Sequence, residues 1–268
     1  MDALTSGEPQ RFELVVDGRR LEVARYTGDA SRPAIVLLHE GLGSVAMWRD
    51  FPAELAARTR RSVVAYSRWG YGASEALEGA RDVRYMHREG EVVLPSLVAQ
   101  LGLERPVLFG HSDGASIALI AAGAHPHLAS ALILEAPHVI VEDLSVASIE
   151  QARSAWETTD LPARLARYHA DPAGAFRGWN DVWLDARFRA WNIEAYATAV
   201  RCPLLVIQGD RDEYGTLDQV ARIAARAPQT QTFVVPGVGH APHRERRRDV
   251  LARVGAFLAS GAEILPGA

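Results

Sequence analysis

Gly110-His111-Ser112-Asp113-Gly114 decides how this chain is read. The five residues stand between a continuous apolar run at 106–110 and a small-residue stretch of helical character at 113–124, so they read as strand, sharp turn and helix. A turn that tight needs glycine on both sides of the serine. It holds the serine in a strained conformation with the hydroxyl clear of the backbone, where it can reach a carbonyl carbon. A serine so placed is expected to be a nucleophile.

Outward from the turn, two alternating segments at 12–16 and 21–26 flank Asp17-Gly18 and predict an antiparallel hairpin. Short apolar runs at 34–39, 63–66 and 131–134 join 106–110 as strands buried on both faces. Helical segments alternate with them: 52–60, opened by Pro52; 85–101, which Pro95 should kink; and 113–124. The pattern predicts an α/β fold, a mostly parallel twisted sheet with helices on both faces. From 137 to 199 the strand-like runs disappear, and Trp156, Trp179, Trp183 and Trp191 supply four of the six tryptophans, so a helical cap insertion is expected there. Alternation resumes with strands at 204–208 and 232–235 and helices at 216–227 and 245–258. The core is therefore assigned to 1–136 and 200–268, closing around the cap at 137–199.

A serine hydroxyl is a weak nucleophile at neutral pH and needs a general base whose tautomer a third group fixes. Gly209-Asp210-Arg211-Asp212 follows the strand at 204–208, and Gly237-Val238-Gly239-His240 follows the strand at 232–235, so both segments leave the same edge of the sheet. In the order Ser112, Asp212, His240, and over nearly its whole length, the sequence resembles the α/β-hydrolase family. The resemblance implies an α/β-hydrolase fold, Ser112 as nucleophile, His240 as base and an acid closing a Gly-x-x-Asp segment, hence Asp212 rather than Asp210. Glu135, after the strand at 131–134, is the other position where some relatives carry the acid.

His39-Glu40-Gly41-Leu42-Gly43 is similar to the family's oxyanion segment, normally His-Gly-x, which implies an oxyanion hole of the Gly41 and Asp113 N–H groups. Glu40 stands where glycine is usual. Its carboxylate is expected to point away from the developing charge, holding the loop or contacting the substrate. In Ser67-Arg68-Trp69-Gly70-Tyr71-Gly72 relatives commonly show aspartate at the position of Ser67 and arginine beside the first glycine; a glycine-rich structural turn is expected here. Trp179 and Trp183 lie four apart on one helical face, suited either to the core of the cap or to roofing a pocket. His138 opens the insertion. Glu40, His138, Trp179 and Trp183 are thus the candidate substrate contacts.

Composition removes other classes. The net charge of -4 leaves no basic stripe for nucleic acid. All 29 basic residues are arginine, which excludes a Schiff-base lysine and a P-loop. Cys202 is the single cysteine, so it forms no intrachain disulfide and is read as a packing residue. No set of histidines has zinc-ligand spacing, and neither metal nor cofactor is expected. The basic run at 243–248 reads as solvated first turns of a helix. Residues 1–10 are polar and show no signal peptide, and no apolar run is long enough to span a membrane, so a cytoplasmic location without membrane partners is expected. Self-association into a homo-oligomer is left open. The activity expected is hydrolysis of a small-molecule carboxylic ester with a compact, apolar acyl group. Its rivals are thioester, lactone, amide or carbon-carbon bond cleavage, perhydrolysis, and a catalytically idle fold serving as a small-ligand receptor.

Overall fold

A computed structural model describes residues 8–260, so the first residues of the polar leader and both outer ends of the assigned core lie outside the described residues. Gln10–Val16 (β1) and Arg19–Tyr26 (β2) form the hairpin, turning at Asp17 and Gly18 with φ of 52° and 74°, the left-handed pair that a tight two-residue turn requires. Ile35–Leu38 (β3), Val63–Tyr66 (β4), Val107–His111 (β5), Ala131–Glu135 (β6) and Leu204–Gly209 (β7) are buried at every position. Each fully buried Val, Leu or Ile contributes roughly 1.5–3 kcal/mol of transfer free energy. Thr230–Val235 (β8) is half exposed and closes the edge.

The eight strands run in the order β1-β2-β4-β3-β5-β6-β7-β8, with β1 and β2 antiparallel and the rest parallel. β3 has β4 on one side and β5 on the other, so the chain leaves β3 and β5 toward opposite halves of the sheet. The loops after these two strands therefore bound a crevice at their carboxyl ends.

Phe51–Thr59 (α1) and a C-terminal helix cover one face; the other carries the segment 85–100, the helix after β5 and the helices between β6 and β7. Ahead of Pro95, where a kink is expected, the segment 85–100 departs from regular α-helix. Tyr85–Arg88 (α2), a wide turn of π-helix at Glu89–Val93 and Leu94–Gln100 (α3) follow one another with helical backbone at the junctions. Pro95 sits in the first turn of α3, where its missing N–H does little harm, and the π turn absorbs the change in register. Asp113–Ala124 (α4) follows β5 directly.

Between β6 and β7 the chain is helical: Asp143–Thr158 (α5), Leu161–Leu165 (α6), Pro172–Trp183 (α7), a 3-10 turn at Ala186–Ala190, and Glu194–Ala199 (α8). Asp171 caps α7 by accepting from Gly174 N at 2.9 Å, and Pro172 starts it. Phe176, Trp179 and Trp183 form its buried stripe, and Phe176 stacks on Trp156 of α5 at 4.4 Å.

Leu217–Arg226 (α9) precedes β8. The helix expected at 245–258 is Arg247–Ala259 (α11), preceded by a single turn, Pro242–Glu245 (α10), from which it is separated where Arg246 leaves helical geometry (φ -129°, ψ 47°). The basic run is not wholly solvated either, because His243 is buried, drawn inward by a carboxylate described below. Cys202 is buried before β7, and burial pushes its thiol up to about 11. No helix among the described residues is long and apolar enough to cross a membrane.

Candidate active site

Ser112 occupies the turn between β5 and α4 with φ 54° and ψ -119°, a backbone conformation unfavourable to a residue with a side chain. Neighbouring bonds hold it there: Ser112 N donates to Glu135 O at 2.8 Å, while Ala115 N and Ser116 N donate to Ser112 O at 2.9 and 3.0 Å. The flanking glycines are steric necessities. A Cβ on Gly110 would lie 2.2 Å from Gly114 O, and one on Gly114 would lie 2.1 Å from Leu38 O.

At the carboxyl end of β7, Asp212 receives hydrogen bonds from His240 Nδ1 at 2.8 Å, Tyr214 N at 2.8 Å, Gly215 N at 3.2 Å and Gln208 Nε2 at 2.7 Å. Burial alone would push this carboxyl up, but the bond to His240 and those from the backbone hold it below its usual range. The ionised carboxylate retains the proton of His240 on Nδ1 and leaves Nε2 free as the basic nitrogen. Asp210 turns elsewhere and accepts from Gly237 N.

After β3, the Glu40 carbonyl accepts from Gly43 N at 3.0 Å, His39 Nδ1 at 2.7 Å and Arg68 Nη2 at 2.8 Å. Because His39 Nε2 accepts from Arg68 N at 3.0 Å, the His39 proton resides on Nδ1. The Glu40 side chain pairs with Arg244 at 2.7 Å. Burial opposes its charge, but Arg244 and then His111 hold its carboxyl well below the usual carboxylate range. Gly41 lies under Trp179; a Cβ there would come within 2.2 Å of the indole.

Ser112, Asp113, His240 and all four candidate substrate contacts line one cavity of about 330 Å³, and Asp212 stands behind His240. Leu42, Ile149, Leu161 and Leu165 supply apolar wall. His138 packs against Trp183, with ring centres 5.1 Å apart, and burial first, then the charge of His240, pushes its imidazole down to about 3. Trp183 is buried and donates its indole N–H to Asp113 Oδ1 at 3.2 Å; Tyr85 donates to the other carboxylate oxygen at 2.6 Å. A larger open groove of about 990 Å³ lies at the amino-terminal edge of the sheet, beside Arg25, Ser62 and Arg105, remote from all of these groups.

Sequence reasoning missed a second carboxylate-histidine pair. Glu135 accepts from His243 N at 3.1 Å and His243 Nδ1 at 2.6 Å, and His111, whose Nε2 meets His240 O at 2.8 Å, completes a buried cluster with ligating atoms within 4.8 Å of one another. Zinc-ligand spacing could not reveal it, since the three residues come from β5, β6 and α10. The Glu135 oxygen nearest His243 accepts both its N–H and its ring proton, which ties α10 to the end of β6, and the bond from His111 to His240 O ties β5 to the His240 loop; Glu135 Oε2 and His243 Nε2 have no hydrogen-bond partner among the described residues. One signal was present: a second histidine three residues after His240, held in by Pro242.

An eight-stranded, mostly parallel sheet with a serine elbow after β5 and a histidine after the last strand defines an α/β hydrolase. The pattern of the alpha/beta hydrolase family matches residues 35–254, and the chain belongs to that family. It is 27% identical over 260 residues to sn-1-specific diacylglycerol lipase ABHD11 of Mus musculus, covering 87% of this chain and 83% of that one. It is 26% identical over 268 residues to the dihydrolipoyllysine-residue acetyltransferase component of the acetoin cleaving system of Pseudomonas putida, covering 93% and 69%. The enol-lactonase of Burkholderia xenovorans LB400 shares the fold, with a TM-score of 0.73 at 20% identity over 92% of this chain and 100% of that one.

Proposed function

We propose that this protein is a serine esterase acting on a small carboxylic ester through an acyl-enzyme. The observation that carries the reading is the strained Ser112 (φ 54°) on the same cavity as a histidine whose Nδ1 lies 2.8 Å from a buried aspartate. His240 Nε2 takes the Ser112 proton as Oγ attacks the carbonyl carbon, and Asp212 stabilises the imidazolium that forms. The N–H of Gly41 and that of Asp113, a donor at the open first turn of α4, receive the oxyanion. The protonated His240 then gives its proton to the departing alkoxide. Water, deprotonated by the same nitrogen, releases the acid.

The helices between β6 and β7 serve as a lid, and the small volume beneath Trp179 and Trp183 favours a compact, apolar acyl group. Resemblance to a lipase supports ester cleavage over the other bonds this fold serves. The test is a fluorophosphonate: mass spectrometry should find Ser112 labelled stoichiometrically, with loss of turnover on nitrophenyl acetate. Labelling of another residue, or none, would refute the assignment.

A further inference from the structure

Arg68 is among the largest side chains that the fold buries completely. A guanidinium withdrawn from water is unfavourable unless its charge is opposed and its N–H groups are satisfied, yet Arg68 Nε and Nη1 have no hydrogen-bond partner. The face of Tyr71, 4.8 Å from the guanidinium carbon, offsets part of that. The polar contacts are concentrated in one nitrogen. Nη2 donates to Glu40 O at 2.8 Å, lies 3.4 Å from His39 O, and stands 3.8 Å from Asp113 Oδ2.

Two of those three partners belong to the oxyanion hole: Glu40 O to its Glu40-Gly41 peptide and Oδ2 to Asp113, while His39 O belongs to the preceding peptide. Glu40 C=O and Gly41 N–H are the two ends of a single peptide unit, which is planar and trans, so the N–H must point opposite to the carbonyl. With three donors gathered on Glu40 O, the peptide plane is fixed and polarised, and Gly41 N–H becomes a stronger donor aimed away from Arg68. At the second donor, the Asp113 carboxylate is held by Tyr85 and Trp183, with Arg68 as its cationic neighbour. One buried cation thus borders both halves of the hole and faces, through a peptide dipole, the point where negative charge develops.

We infer that Arg68 is the positioning residue of the oxyanion hole, orienting the Glu40-Gly41 peptide and steadying Asp113 without touching substrate. The inference rests on the serine-esterase reading above. It also explains the turn at 67–72 beyond its glycines: the fixed charge comes from the second residue after β4, while Ser67, the first, donates to Glu22 Oε2 at 2.7 Å and accepts from Val45 N at 2.9 Å.

The experiment compares wild type, Arg68→Met and Arg68→Lys by three readouts that need no natural substrate. These are the rate of Ser112 phosphonylation by a fluorophosphonate, the affinity of a trifluoromethyl ketone that forms an oxyanion adduct, and kcat and KM on nitrophenyl acetate. Loss of one direct oxyanion donor costs about 10²–10³ in kcat, so Arg68→Met, which misaligns one, should slow phosphonylation by roughly 30- to 300-fold. Ketone affinity should fall in proportion while KM stays within about threefold, since the ground state gains little from the hole. Arg68→Lys should recover part of the loss, because an ammonium supplies the charge and one N–H to Glu40 O. Should Arg68→Met fail to fold by circular dichroism, Arg68→Lys decides alone: ketone affinity reduced about fivefold or more at unchanged KM supports the inference. Rates and ketone affinity within about twofold of wild type, or a loss confined to KM, overturn it. If Ser112 of the wild type is not labelled, the esterase reading fails and takes the inference with it; if it is labelled equally in all three proteins, only the inference fails.

Discussion

At the carboxyl end of β7, Asp212 holds His240; at the carboxyl end of β6, Glu135 holds His243 through the same ring nitrogen. The separations are 2.8 and 2.6 Å, and each carboxyl is kept below its usual range, against the effect of burial, by its histidine and by backbone N–H groups. Their surroundings differ. The His240 side chain is 14% exposed and lines the cavity with Ser112, whereas that of His243 is 1% exposed and packed between Trp48 and Phe51. Burial pushes the His243 imidazole down despite its carboxylate partner. A carboxylate-histidine pair is therefore not a catalytic signature in itself. On the proposed mechanism, what would separate the base from its structural counterpart is whether the second ring nitrogen meets a space a substrate can enter.

The sharpest way to break that contrast is to remove each histidine in turn. His240→Ala should lower kcat on nitrophenyl acetate by roughly 10⁴–10⁶-fold, while His243→Ala should act mainly on unfolding by urea, lowering stability by about 2–4 kcal/mol with kcat retained within about tenfold. Comparable kcat losses would erase the distinction. The acids repeat the test at smaller amplitude: Asp212→Asn should cost about 10⁴-fold in kcat by allowing the wrong tautomer, and Glu135→Gln less than about tenfold. A larger loss at Glu135 would move the acid to β6.

A third comparison concerns the wall of the cavity. In the wild type kcat/KM should fall as the acyl chain outgrows the space beneath Trp179, each excess methylene costing about 1–3 kcal/mol; Trp179→Ala should flatten that fall by roughly tenfold, measured from acetyl to decanoyl esters. An unchanged profile would assign Trp179 to the packing of the lid alone. The smallest effect belongs to His138. Burial and then the charge of His240 push the His138 imidazole down to about 3 in the fold against 6.5 for the ordinary side chain. Between those values the unfolded chain binds the extra proton, so this contribution is complete above about pH 6.5 and is lost on acidification by about 1.4 kcal/mol per pH unit. Denaturant unfolding of His138→Phe at pH 6 and 5 should show the pH slope reduced by about that amount. The same slope in both proteins would show that His138 is not held neutral.

The fold was legible because its signals are local. Continuous apolar runs for two-faced strands, glycines bracketing Ser112 and Asp17-Gly18 in the hairpin are each written within a few residues. The residues read as nucleophile, acid and base each follow a strand, and parallel strands deliver them to one edge. What could not be read depends on contacts between distant segments. Nothing near Arg68 in sequence says that this arginine, in a polar turn, turns inward beneath Glu40, nor does the basic run at 243–248 reveal the carboxylate at 135 that draws His243 in. Trp183 had two local readings, lid core and pocket roof, but its bond to Asp113 needed the placement of α7 over α4. The π turn ahead of Pro95 was not legible either, because such a turn is invisible to a 3.6-residue period.

Cys202, the only thiol, is guarded twice: it is buried beside β7 and its ionisation is pushed up to about 11. The thiolate is the form that attacks thiol reagents, so the native chain should ignore them, and each reaction event records a moment when the β7 region has come open. With fast reclosing, the labelling rate divided by that of a free cysteine gives the equilibrium constant for opening. The molecule thus carries its own clock for local unfolding at the strand that leads to Asp212, readable without introducing a probe.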